Sequence, residues 1–410
     1  MRDPVSTPYV GLDIGTSYVR CVIGVLDANN PNKLSIIGHG SAQNMGMRKG
    51  IVAQVDEVTE AISHAIAEAE RISGVRVQGA TINVNGTHVN GLNSKGVIAI
   101  SAANREITTD DRLRVEEAAT IVQLPSNREI IQVFAQNYRL DGQENIKDPV
   151  GMHGVRLEVD AHIVTAATPN LRNLDMALEK GEIAVHNRTL SGLAAAEAVL
   201  QRQQKEAGTV LLDIGASTTN LVVLEDGEVQ HVAVLPMGGQ HITNDLAIGL
   251  RTDLDVAEAV KVQHASLSKD VPKRDIRVKA HGQDHVFKAE DIAMITEARV
   301  EELFEFVNKE LSKIHKAHKL PGGVVLVGGT AKLPGMAEFA KEQLQLASRV
   351  GRLQPLTGLV DTVADPTYCT AVGLMLLDML LLPETVPSSA GTATDRTIHF
   401  VDSLLRRFRR

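Results

Sequence analysis

The chain opens on an apolar run, Val10-Gly11-Leu12, that ends on Asp13, Gly15, Thr16 and Ser17 before a second apolar run begins at Val19. This pattern predicts a buried strand, a tight turn and a second strand, with a carboxylate and two hydroxyls at the turn. The pattern returns at residues 210–217, where VLLDIGAS repeats VGLDIGTS. Two copies of one turn predict two halves that grip one ligand. After the first copy, KLSIIGHGSAQ reads as a strand. In VDEVTEAISHAIAEAERISG, Val58, Ile62, Ala65, Ile66 and Ala69 recur at helical spacing, with Gly74 just past the end. Residues 86–163 differ in texture. They hold the strand KGVIAIS, the capped helix TTDDRLRVEEAATIVQ and the strand VRLEVDAHIVTA. In the last of these, Val155, Leu157, Val159, Ala161 and Ile163 alternate with Arg156, Glu158, Asp160 and His162, which predicts a sheet with one wet face and a module of its own.

Thr168 and Pro169 read as N-cap and first residue of a helix, and RTLSGLAAAEAVLQRQ as a small-residue helix leading into the second turn. The second half mirrors the first. Strands TVLLDIGAS, TNLVVLEDGEV and VQHVAVLPMGG are joined by turns at Asp226-Gly227 and Gly238-Gly239, and HITNDLAIGL and VAEAVKVQHA read as helices. Residues 291–316 predict one long amphipathic helix, and GGVVLVGGTAKLPGM a buried strand ending in a glycine pair. Strands alternating with helices imply an α/β fold. The core is predicted to stop near Leu382, followed by the linker PETVPSSAGTATD.

The final segment, RTIHFVDSLLRRFRR, is neither linker nor core. Asp395 can cap a helix from Arg396 in which Ile398, Val401, Leu404, Leu405 and Phe408 form one apolar stripe. The other face is basic: Arg396, Arg406, Arg407, Arg409 and Arg410 stand against Asp402, on a chain whose net charge is -8. Such a helix suits the plane of an anionic membrane surface, the alternative being a terminal helix docked on its own protein.

Composition narrows the function. With 410 residues and 43% apolar content the chain has room for two or more domains. A negative net charge, 3% aromatics and no Trp argue against nucleic-acid affinity. Cys21 and Cys369 are far apart and without metal-ligand spacing, which predicts a reducing compartment and neither disulfide nor zinc. The N-terminus carries no apolar signal segment, and the longest apolar run, residues 371–382, is too short to span a bilayer and contains Asp378. A cytoplasmic, unspanned chain is expected. Neither an HExxH motif nor Gly-Lys-Ser/Thr occurs, so a zincin or P-loop is unsupported.

The turns themselves suit a magnesium-bound polyphosphate, because turn amides and hydroxyls donate to phosphate oxygens while a carboxylate holds the waters of the metal. Asp13 and Asp213 take the metal side. Gly15, Thr16, Ser17 and Tyr18 in one turn, and Gly215, Ala216, Ser217 and Thr218 in the other, cradle phosphate. Either turn alone reads first as a hairpin with a helpful glycine; the repeat reverses that order and favours the ligand. Gly328 and Gly329 leave room for a base or ribose.

These segments resemble the phosphate-1, phosphate-2 and adenosine segments of the actin, Hsp70 and hexokinase superfamily. Within it the chain resembles, over nearly its full length, the FtsA family of bacterial actin-like cell division proteins. GVRLEVDAHIVTA, SGLAAAEAVL and IKDPVGMHG carry that likeness. It implies an actin-like two-lobed ATPase fold, α/β in class, with ATP and Mg2+ between the lobes. Subdomain 1A would comprise 1–85 and 164–195, an FtsA-type 1C subdomain 86–163, 2A 196–233 and 302–365, and 2B 234–301. A helix at 366–382 would return to 1A, and a linker at 383–395 would lead to a membrane-targeting helix at 396–410. Gly239, Glu258, Lys261, Gly328, Gly329 and Thr330 would contact adenosine, although Glu258 and Lys261 also read as an exposed charge pair.

The resemblance also implies partners: FtsZ through its C-terminal peptide, further copies of the chain in filaments, anionic inner-membrane lipid and later division proteins. Peripheral attachment at the septum follows. Arg299 and Lys309 are the FtsZ-binding candidates, with a solvated helix face as the plain alternative. Subdomain 1C would serve self-association and the later division proteins. Members that hydrolyse or transfer phosphate position a base near the first connecting helix. Here that stretch reads NRTLSGLAAAEA: Leu190, Ser191 and Gly192 bring no carboxylate, and Glu197 lies two turns on. Slow hydrolysis or none is expected. A small-molecule kinase of the same superfamily and a pilus-assembly relative of FtsA are the other two readings.

Overall fold

The computed structural model describes residues 8–27, 30–101, 103–269, 274–280 and 282–381. The linker and the amphipathic stripe from Ile398 to Phe408 lie outside the described residues.

Two sheets are built on one plan. In the first, the order is Ala184–Leu190, Gly79–Val84, Tyr9–Ile14, Tyr18–Asp27, Asn30–Gln43, Thr357–Gly358. In the second, it is Glu228–Leu235, Thr219–Glu225, Thr209–Ile214, Gly323–Val327, Ser348–Val350. Each turn-bearing strand runs antiparallel to its hairpin partner and parallel to the strand on its other side. Because helices cover both faces, these strands are apolar throughout: Val210, Leu211, Leu212 and Ile214 are all fully buried. The predicted helix forms as Val55–Ser73, buries Val58, Ile62, Ala65, Ile66 and Ala69, and ends on Gly74 in the left-handed region.

Between the sheets lie the helices Ser191–Val199 and Cys369–Leu381, which touch where a Cβ on Gly373 would come within 1.7 Å of the Ala194 carbonyl. In the first turn of the second helix, Thr370 Oγ1 donates to Asp213 Oδ2 (3.4 Å). Asp378, which interrupts the apolar run, is 0% exposed and accepts from Val10 N (2.9 Å), Thr81 Oγ1 (2.7 Å) and His186 Nδ1 (2.9 Å). It is a clamp between helix and sheet, and its burial is tolerable because every bond is made. Among the described residues no helix is long and apolar enough to cross a membrane.

The module predicted after Gly86 forms a sheet in the order Asn90–Ala99, Arg156–Ala167, Arg128–Leu140, Gln143–Ile146. The helix Thr109–Ala119 packs on it, with a Thr108–Asp111 capping box. Here one expectation needs correcting. The alternation holds only from Leu157 to Ala161; His162 is 1% exposed and Val155 44% exposed. That end of the wet face is covered by the second half. His162 Nε2 accepts from Val232 N (3.2 Å), and Gln136 Nε2 donates to the carbonyls of Val229 (3.1 Å) and Gln230 (2.6 Å). These side chains satisfy the edge strand Glu228–Leu235, whose free backbone groups otherwise lack partners.

Three boundaries also move. Ala167, not Thr168, is the N-cap of Thr168–Lys180, with no side-chain cap. Arg188–Leu190 complete a strand rather than start a helix, because parallel pairing with Gly79–Val84 claims them. Gly238 is the N-cap of the helix Gly239–Leu250 rather than part of a turn between strands.

Candidate functional site

Both turns close the same way: Gly15 N donates to Tyr18 O (3.0 Å) and Gly215 N to Thr218 O (2.9 Å). Thr16, Ser217 and Thr218 are buried, Ser17 and Ala216 half-buried, and Tyr18 exposed. Hairpin register places Arg20 opposite Asp13 and Asn220 opposite Asp213. Arg20 lies over the rings of Tyr18 (5.1 Å) and Tyr368 (5.4 Å), and its Nε is buried with no hydrogen-bond partner among the described residues. Burial pushes the Asp13 carboxyl up to about 7; the charge of Arg20 opposes this and that of Asp213 adds to it. Burial raises Asp213 as well, against hydrogen bonds from Asn220 and Thr370 and the pull of Arg20. Two carboxylates that feel one another under a single arginine form a site short of positive charge.

The adenosine candidates converge on the second turn. Gly239 N and Thr330 Oγ1 both donate to the Gly215 carbonyl, at 2.9 and 3.0 Å. Lys261 Nζ donates to Gly239 O (3.2 Å), Thr243 Oγ1 (2.9 Å) and Glu258 Oε2 (2.6 Å), so Glu258 and Lys261 join this network rather than standing apart. At Gly328 φ is +87°, and a Cβ would lie 2.6 Å from Asp213 Oδ1. At Gly329 the nearest atom to a Cβ is Thr367 Cγ2 at 3.6 Å, which leaves the surface open there. The structure thus brings together Asp213, Gly215, Gly239, Glu258, Lys261, Gly328 and Thr330, with Asp13 and Arg20 facing them from the first half.

Several residues of the site escape sequence reasoning. Asn83 Nδ2 donates to Asp13 Oδ1 (2.7 Å) and Ser191 Oγ (3.0 Å), while its Oδ1 accepts from Ile14 N (2.7 Å). Asn44 Nδ2 donates to the Gly15 carbonyl (2.8 Å). Asn85 reaches Thr218 across the halves at 3.2 Å. The available signal was local: INVNG ends an apolar strand on polar residues, as the turn strands do. On the first connecting helix Glu197 is buried and ion-paired with Lys205 at 2.7 Å. Arg299 and Lys309 stand on the helix Ala289–Lys313, outside the network. Arg299 grips Asp245 (Nη2 to Oδ1, 3.0 Å) and Glu302, and the Lys309 ammonium lies 4.9 Å over the Phe306 ring.

Comparison with known proteins supplies the lineage. The family model "Cell division protein FtsA" matches residues 210–373, and that of the "SHS2 domain inserted in FTSA" matches residues 86–165. The cell division protein FtsA of Pseudomonas aeruginosa is 36% identical over 371 residues, covering 90% of this chain and 88% of that protein. Among solved structures, the PilM-PilN type IV pilus biogenesis complex is similar with a TM-score of 0.64 at 18% identity, over 90% of this chain and 98% of that one. MreB5 of Spiroplasma citri bound to ADP is similar with a TM-score of 0.55 at 12% identity, over 92% and 97%. These structural likenesses show the actin-like fold. The sequence likeness goes further, and the chain belongs to the FtsA family of cell division proteins.

Proposed function

We propose that the chain binds magnesium-ATP between its halves, assembles into filaments and tethers FtsZ to the cytoplasmic face of the membrane at the division site. The observation that carries the nucleotide part is the convergence of the two turns around a carboxylate pair short of positive charge. The Spiroplasma relative bound to ADP supports it. Asp13 and Asp213 would hold the waters of magnesium. The amides and hydroxyls of Gly15, Thr16, Ser17, Gly215, Ser217 and Thr218 would donate to phosphate, with Arg20 as fixed positive charge. Bound there, the metal neutralises phosphate charge. Gly239, Glu258, Lys261, Gly328, Gly329 and Thr330 would border adenosine. With Glu197 committed to Lys205 and only Ser191 near Asn83, the first connecting helix offers no general base, which supports slow turnover.

Membrane attachment rests on the sequence of residues 396–410. Each arginine near an anionic leaflet contributes about 1 kcal/mol, so one tail binds modestly and a filament multiplies the contacts into avid attachment. FtsZ's terminal peptide would dock on the lobe 234–301 with the long helix Ala289–Lys313 that follows it. Because Arg299 is held by Asp245 and Glu302, Lys309 is the freer partner for its acidic residues. The module 86–163 would serve self-association and later division proteins.

Two measurements test this. ATP should raise the melting temperature of the chain, and Asp213→Ala should abolish that rise. Deleting residues 396–410, or changing Leu404 and Phe408 to Glu, should release the chain from phosphatidylglycerol vesicles while the ATP response survives. A truncated chain that sediments with vesicles as well as the intact one would overturn the tether.

A further inference from the structure

We infer that Asn85 positions the Thr218 hydroxyl of the opposite half for the terminal phosphate of the nucleotide, a role that rests on the nucleotide reading above. Asn83 is the penultimate residue of the strand Gly79–Val84 and Asn85 the first residue past its end. Asn83 is spent on Asp13, Ser191 and the Ile14 amide. Asn85 instead crosses to the second half: its Nδ2 lies 3.2 Å and its Oδ1 3.4 Å from Thr218 Oγ1. Its Oδ1 also accepts from Gly86 N at 2.6 Å, which fixes the amide so that the Nδ2 donor faces Thr218. The loop behind it is closely packed. Gly50 (φ +73°) and Gly86 (φ +123°) pack so closely that a Cβ on Gly50 would come within 2.5 Å of Gly86 Cα.

Here the duplication breaks. In the first turn the position after the Thr16-Ser17 pair is Tyr18, 44% exposed; in the second it is Thr218, 2% exposed and engaged with Asn85. A hydroxyl donates one hydrogen. Within the second turn a phosphate oxygen, being charged, outcompetes a neutral amide oxygen for that hydrogen. Thr218 then turns its O–H to the phosphate and keeps its oxygen for the Asn85 Nδ2 donor. A nucleoside triphosphate carries the additional phosphate that can take the Thr218 hydrogen; with a diphosphate that hydrogen stays with the Asn85 amide oxygen. The two side chains therefore discriminate triphosphate from diphosphate and tie that choice to how the halves meet.

The test is equilibrium binding of fluorescent ATP and ADP analogues, with magnesium, to the full chain. Asn85→Ala should lower ATP affinity about fivefold, the worth of one neutral hydrogen bond, and leave ADP affinity unchanged. Thr218→Val, which removes a phosphate donor as well, should lower ATP affinity by at least as much, Thr218→Ser should retain it, and adding Asn85→Ala to Thr218→Val should cost nothing further, because Asn85 acts through Thr218. Asn85→Asp sets a carboxylate against the phosphate and should cost ATP about tenfold or more. Melting of each variant without nucleotide checks the fold. Equal losses for ATP and ADP, or additive losses in the double variant, would overturn the assignment of Asn85. Failure of the unsubstituted chain to bind either nucleotide would overturn the nucleotide reading itself, and this role with it.

Discussion

The two turns share a sequence pattern, a hairpin and a parallel neighbour, yet their surroundings are opposites. In the first half the parallel neighbour ends in Asn83 and Asn85; in the second, Gly323–Val327 runs into Gly328 and Gly329. The first half grips with side chains: Asn83 on Asp13, Asn44 on the Gly15 carbonyl, and Arg20 opposite Asp13. The second half clears space and leans on backbone, with Gly239 N on the Gly215 carbonyl and a bare Gly328 beside Asp213. A duplicated sequence gives a duplicated backbone, but an asymmetric ligand needs unlike neighbours. The half that grips with side-chain donors suits phosphate; the half with two glycines suits phosphate and leaves room for a flat ring as well.

The largest test of that contrast is electrostatic. The Asp13 carboxyl stands at about 7 in the folded chain against 3.8 in the unfolded one. Between those values the folded chain holds a proton that the unfolded chain has released. The stability this group contributes is therefore fully present below pH 4 and lost as pH rises through 7. After relaxation of the buried charge the loss should come to about 3 kcal/mol. Urea midpoints of the unliganded chain and of Asp13→Asn, compared at pH 5 and pH 8, should diverge, with the asparagine chain gaining as pH rises. Asp213→Asn, which removes a repelling neighbour, should shift the loss to lower pH. A gap between Asp13→Asn and its parent that stays constant across this range would sink the shared-charge account.

The glycine pair gives the next effect. Gly328→Ala places a Cβ 2.6 Å from Asp213 Oδ1 on a backbone with φ +87°, and should cost about 2 kcal/mol of stability together with the ATP-induced rise in melting temperature. Gly329 has φ -64°, which any residue adopts, and a Cβ there would meet Thr367 Cγ2 only at an ordinary 3.6 Å, so Gly329→Ala should stay within about 0.5 kcal/mol of the parent. Its effect should fall on nucleotide affinity alone. Equal destabilisation by the two would mean that the second half is not shaped around its first glycine.

What could be read from the sequence follows the same division. The turns, the helix through Val58 and Ala69 and the glycine pair are set by local periodicity and backbone conformation, and the chain displays both. Arg20, Asn83 and Asn85 owe their roles to which strand lies beside which, a property of topology. Hairpin register would have found Arg20, seven residues after Asp13; strand order was needed for the asparagines. His162 teaches the limit of a period-two pattern. It names the face a side chain takes but not what covers that face, and the cover here comes from the edge strand Glu228–Leu235 of the other half. The predicted membrane helix lies outside the described residues, so its stripe remains a reading of sequence alone.

The smallest effect separates the two ways of holding a turn. The Gly15 carbonyl takes its hydrogen bond from Asn44 Nδ2 at 2.8 Å, and Asn44, 3% exposed, also accepts from Gly46 N at 3.1 Å. Asn44→Ala removes both bonds at once and should cost about 1.5 kcal/mol. The Gly215 carbonyl takes one bond from Thr330 Oγ1 at 3.0 Å and a second from Gly239 N at 2.9 Å. Thr330→Val keeps the shape and leaves the backbone donor in place, so its cost should be below about 0.5 kcal/mol. Chemical denaturation without nucleotide measures both. If Thr330→Val cost as much as Asn44→Ala, the second turn would depend on side-chain grip as the first does. The contrast between a gripping half and an open half would then rest on the glycines alone.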